Sequence, residues 1–118
     1  MEIDAVLDTC VVVDLLSGRR AIALAPGRYA VSVITELKLL SKPSMSDAEE
    51  AQIRKLLSTV FVVELIPEVR TRAIALRQNT RLKLPDAIVA ATAQAVFAPL
   101  ITFDEAIIKA IPDTARQP

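Results

Sequence analysis

Histidine and tryptophan are absent from this chain of 118 residues, which has one cysteine, one tyrosine and three phenylalanines. Without histidine, the usual imidazole metal ligand is unavailable, so a metal would have to be held mainly by oxygen. The single Cys10 excludes an intramolecular disulfide framework and a multi-cysteine zinc site, and it fits a reducing compartment, the cytoplasm. So few aromatic residues leave little material for a nucleic-acid surface built on base stacking, and none is expected. Excess charge is missing too. Fourteen basic residues cancel fourteen acidic ones, which argues against the basic footprint of a tight non-specific nucleic-acid binder and leaves room only for a local patch. No apolar run approaches the roughly 20 residues of a membrane span, and the opening MEIDAVLD is acidic rather than basic, so neither an anchor nor a secretion signal is expected.

What is there is a core. A chain with 53% hydrophobic and 24% charged residues has enough apolar material for one ordinary globular domain. AVLD (residues 5–8) reads as a buried strand, with Thr9 as cap of a helix through VVVDLLSG that Gly18 stops. RYAVSVIT (28–35) reads as a second strand feeding a short helix, ELKLLS, that ends before Pro43. Ser46 and Glu49 form a capping box for a helix with Ile53, Leu56 and Leu57 on one stripe. VFVVELI is a third strand, and Pro67 starts a helix to about Thr80. Pro85 suits the first turn of an apolar helix through DAIVAATAQAVF. PLITF is a last strand ending at Asp104, EAIIKAI is a last helix, and the polar tail from about residue 113 should fray. Alternating strands and helices imply an α/β fold, a parallel sheet covered on both faces.

Four acids, Asp8, Glu36, Asp86 and Asp104, stand at or beside the ends of these runs. Parallel strands put their carboxyl ends on one edge, so Asp8 and Asp104 should share it, with Asp86 on a helix packing back nearby. Each acid alone has an ordinary reading as a cap or first-turn residue. Together they repel unless a cation or protons neutralise them. Mg²⁺ or Mn²⁺ suits such an oxygen set, and metal-dependent hydrolysis of a phosphodiester is the reaction class that follows.

VLDTCVVVDLLSG, VSVITELKLL, RLKLPDAIVAATA and PLITFDEAI occur in the order and at roughly the separations of the PIN-domain family. The chain most closely resembles the toxin ribonucleases of bacterial VapBC toxin–antitoxin pairs. The resemblance spans nearly the whole chain and implies a single domain over residues 1–118 with a three-layer α/β/α fold. It also implies an acidic pocket that binds Mg²⁺ or Mn²⁺ and cleaves RNA, with Asp8, Asp86 and Asp104 as catalytic metal ligands. Thr9 and Thr102 stand beside these ligands, in position to hold their carboxylates through hydroxyl hydrogen bonds.

One position departs from the family pattern. Where family members carry a glutamate, this chain has Lys38, and Glu36 comes two residues early, about 200° away around a helix. A lysine there opposes a cation by repulsion, which raises an alternative: a PIN-like module, weak or inactive in catalysis, that keeps antitoxin or RNA binding. Cys10, where Asn or Ser is usual, reads as a small buried residue. Asp14 reads as structural. Arg70, Arg77 and Arg81 recur at helical steps with Arg72 and Lys83 nearby, so Arg77 and Arg81 are the expected RNA contacts. The resemblance further implies a homodimer and a small antitoxin covering the pocket, and AIALAPG and AEEAQIRKLL are candidate helices for covering one another across a dimer.

Overall fold

The central strands divide their side chains between two cores, which is why their residues are mostly apolar on both faces. In the computed structural model, which describes residues 2–20 and 22–118, β1 (Ala5–Leu7), β2 (Tyr29–Ser32), β3 (Phe61–Val63), β4 (Leu100–Ile101) and β5 (Ala115–Arg116) form one sheet. Its order is β3-β2-β1-β4-β5 and every pairing is parallel. Ala5 and Leu7 join Val31 and Ile101 in one core, capped by α1 (Thr9–Ser17), α2 (Val33–Leu40) and α3 (Asp47–Leu57). Val6, Ala30 and Leu100 point into the other, under α4 (Pro67–Asn79), α5 (Leu84–Ala95) and α6 (Glu105–Ala110). The result is a three-layer α/β/α fold. Among the described residues, no helix is long and apolar enough to cross a membrane.

The strand order locates the functional edge. From β1 the chain steps outward to β2 and β3, then returns past β1 to β4 and β5 on the other side. The point where the direction reverses lies between β1 and β4, whose carboxyl ends diverge into a crevice where open α/β sheets bind ligands. Asp8 immediately follows β1. Thr102, Phe103 and Asp104 follow β4.

Four local expectations give way to other chemistry. Asp8, not Thr9, is the N-cap of α1, its Oδ1 accepting from the Thr9 amide. β2 stops at Ser32, whose hydroxyl accepts from the Ile34 amide and so starts α2 two residues before Thr35. AIALAPG is not helical over its described residues 22–27: Pro26 disfavours helix at Ala25, and the Asp4 carboxylate accepts from the Arg28 amide and leaves no room for a side chain at Gly27. The tail, expected to fray from about residue 113, instead carries β5. Leu100 N donates to Thr114 O and Thr102 N to Arg116 O, and Ala115 is buried.

Candidate active site

Asp8 is held more completely than any other acid at this edge. It is only 7% exposed. Its Oδ1 accepts from Thr9 N at 2.8 Å, and its Oδ2 accepts from the Thr102 hydroxyl at 2.7 Å and from Cys10 Sγ at 3.5 Å. Thr102 is fully buried, and its Oγ also accepts from the Asp104 amide at 3.0 Å, so one hydroxyl joins the two strand ends. Thr9 does not use its hydroxyl on Asp8. That group pairs with the hydroxyl of buried Thr35 on α2 at 2.9 Å and ties the start of α1 to α2. Burial, followed by the Asp8 charge among the raising influences, pushes the Cys10 thiol up, so it stays a protonated donor at neutral pH.

Asp104 is the N-cap of α6. Its Oδ1 accepts from Ala106 N at 2.9 Å and Ile107 N at 3.4 Å, which leaves Oδ2 without a hydrogen bond among the described residues. Asp86 lies in the first turn of α5, after Pro85, and is half-buried. Its carboxyl pKa is raised, first by burial and then by the negative charge of Asp104 and, less, of Asp8. Lys38 and Lys83 oppose the rise without cancelling it. Among the described residues Asp86 makes no side-chain hydrogen bond.

Asp8, Asp86 and Asp104 line one cavity of about 670 Å³, and Lys38 lines it with them. Glu36 does not, in keeping with its place two residues along the same helix. Nor do Arg77 and Arg81. The Arg77 guanidinium donates to Leu82 O at 2.8 Å, and α4 ends at Asn79, so Arg81 lies beyond the helix and cannot continue the row along its face. The basic residues at the cavity besides Lys38 are Arg19 and Arg20, which composition and periodicity did not single out.

The cavity floor also includes Cys10, Val13, Asp14 and Ser17, residues spaced i, i+3, i+4 and i+7 along α1. That stripe was readable in the sequence as one helix face turned to the first-strand aspartate. Asp14 is therefore a cavity residue rather than a remote structural one. It is 3% exposed, its Oδ1 accepts from Arg20 N at 2.9 Å, and its Oδ2 is buried without a partner among the described residues.

As a metal site the arrangement is open. Among the described residues, no three acids or cysteines stand close enough to form a ready cage, although the three aspartates share the cavity. The two facts are compatible for Mg²⁺, which usually keeps several waters and takes only one or two carboxylates directly. Among the described residues Asp86 and Asp104 have carboxylate oxygens without hydrogen bonds, and the Asp86 carboxyl, its pKa raised by burial and then by its acidic neighbours, fits such an ion. Lys38 counts against tight binding.

The PIN domain family model matches residues 5–112. A toxin–antitoxin complex from Klebsiella pneumoniae contains a chain 35% identical to this one, covering 97% of both chains with a TM-score of 0.84. VapBC-1 from nontypeable Haemophilus influenzae shares the fold at 18% identity over 98% of both chains, with a TM-score of 0.77. VapBC-5 from Mycobacterium tuberculosis does so at 24% identity, over 97% of this chain and 96% of that one, with a TM-score of 0.65. A search of curated proteins gives no match.

Proposed function

This chain belongs to the PIN domain family, and from that premise we propose that it is a VapC-like toxin, an endoribonuclease that hydrolyses RNA phosphodiester bonds at the cavity of Asp8, Asp86 and Asp104. The observation that carries the reading is the meeting of three carboxylates from three distant segments at the switch point of a parallel sheet, with the Asp86 pKa raised by burial and then by its acidic neighbours. A Mg²⁺ or Mn²⁺ ion there supplies neutralising charge and an activated water. Asp8 is the fixed member, oriented by Thr9 N, Thr102 and Cys10. Asp104 offers Oδ2 to the ion while Oδ1 keeps its cap. Asp86, without a side-chain hydrogen bond among the described residues, would adjust to ion and substrate. Lys38, Arg19 and Arg20, which line the same cavity, supply positive charge to hold the RNA phosphates. Arg77 and Arg81 act further out, guiding RNA toward the cavity.

The toxin–antitoxin complex from Klebsiella pneumoniae supports a small antitoxin protein as the partner of this chain in the cytoplasm. Exposed apolar side chains such as Val13 and Leu37 support association through apolar surface, including a homodimer. Lys38 favours a second reading, a PIN-like module that binds RNA or antitoxin but cleaves weakly.

Calorimetric titration with Mn²⁺ together with an RNA cleavage assay, on this chain and on Lys38→Glu, separates the two. Metal binding and cleavage by the parent chain are expected. Activity that appears only in Lys38→Glu would favour the second reading, and inactivity of both would overturn the ribonuclease proposal.

A further inference from the structure

Beyond the carboxylates, the cavity contains an aromatic–cation stack whose purpose the hydrolytic chemistry does not explain. The Arg20 guanidinium lies over the Phe103 ring at 4.1 Å from its centroid. Both residues line the cavity, Arg20 is exposed and Phe103 half-buried. Phe103 sits between Thr102, which orients Asp8, and Asp104, so the stack begins one residue from the acids.

Arg20 is also positioned from behind. Gly18 takes a left-handed conformation (φ 69°) that ends α1 and turns the chain back, its amide donating to Asp14 O at 2.7 Å. Asp14 Oδ1 then accepts from the Arg20 amide. Asp14 Oδ2 is buried and, among the described residues, has no hydrogen-bond partner. Among the described residues, no carboxylate forms a salt bridge with Arg20. Arg20 is exposed and lines the cavity.

We propose that the Arg20–Phe103 stack is a nucleobase subsite: an unpaired base of single-stranded RNA stacks on the guanidinium plane while the adjoining phosphodiester reaches Asp8, Asp86 and Asp104. Guanidinium planes and aromatic rings are the surfaces on which splayed-out RNA bases stack. A cavity of about 670 Å³ is within the range of sites that enclose a small ligand. One such platform suffices for one base, so the scarcity of aromatics in the chain excludes an extended stacking surface and not this subsite. The inference rests on the ribonuclease reading and names the part of the substrate it holds.

The test is equilibrium binding, with Ca²⁺ in place of Mg²⁺ or Mn²⁺ so that the acids are neutralised while cleavage is held back, of a fluorescent single-stranded heptaribonucleotide, against a set of the same heptamer with one abasic site moved along it. Parent chain, Arg20→Lys and Phe103→Leu are compared, with thermal unfolding to confirm the fold of each. Arg20→Lys keeps the charge and removes the plane. In the parent chain one abasic position is expected to weaken binding by about tenfold or more. Both variants should bind the intact heptamer at that weakened level and the corresponding abasic heptamer no worse than the parent does. Insensitivity of the parent chain to every abasic position would overturn the subsite, as would variants that weaken intact and abasic RNA alike. A parent chain that binds none of these RNAs would instead overturn the ribonuclease reading on which the subsite depends.

Discussion

The two acidic walls of the cavity are built to different degrees of completion. On the Asp8 wall both carboxylate oxygens are bonded and the supporting hydroxyls of Thr102 and Thr35 are fully buried. On the other wall Asp86 has no side-chain hydrogen bond among the described residues, Lys38 is exposed, and Asp86 feels Lys38 and the other acids through charge. The contrast teaches a division of labour: one wall fixes a reference position before any ligand arrives, and the other adapts to charge brought in from outside. Such a pairing of a preorganised group with an adjustable one is economical where an ion and a polyanion must both be accommodated.

The sharpest way to break this contrast is Asp8→Ala. It removes the cap of α1 and leaves the Thr9 amide and the buried Thr102 hydroxyl short of a partner. Stability should fall by about 2–4 kcal/mol in denaturant unfolding, and RNA cleavage by at least about a hundredfold. An unchanged midpoint would mean that the Asp8 wall is no more fixed than the other.

Asp86→Asn should cost activity without costing stability. Burial and two neighbouring carboxylates raise the Asp86 pKa, so the folded chain holds that proton more tightly than the unfolded chain does. The resulting stabilisation is complete below the ordinary value of 3.8 and is lost as pH rises through the folded value. Thermal unfolding across that window should therefore fall off in the parent chain and stay flatter in Asp86→Asn, with the variant at least as stable at pH 7. A variant destabilised equally at low and neutral pH would reduce Asp86 to ordinary packing.

The smallest effect is expected away from both walls. Arg77→Glu combined with Arg81→Glu should weaken RNA binding by about two- to fivefold at low salt, less than substitutions at the cavity. A larger loss, measured by fluorescence anisotropy, would move the main basic surface from the α1 loop to the region around α4.

Hydrophobic alternation and punctuation revealed the layers of the fold well, because Gly18, Ser46, Pro67 and Pro85 act through local chemistry that neighbouring residues suffice to predict. The meeting of Asp8, Asp86 and Asp104 was readable for a related reason: parallel strands put their ends on one edge. What escaped was decided by long-range pairing. The tail became β5 through amides donated by Leu100 and Thr102, about fourteen residues earlier in the chain. Arg77 and Arg81 looked like a surface row until the end of α4 at Asn79 and the bond to Leu82 O divided them. Arg19 and Arg20 were not singled out, because the turn at left-handed Gly18 and the Asp14 bond to the Arg20 amide, not local composition, bring Arg20 to Phe103.

The Thr102 hydroxyl has a mechanical consequence. It gives its hydrogen to Asp8 and receives that of the Asp104 backbone, so a single oxygen gears the ends of β1 and β4 together. A pull on Asp104 is transmitted to Asp8 through that pivot, and the two acids answer as one body. Asp86 alone is left to travel.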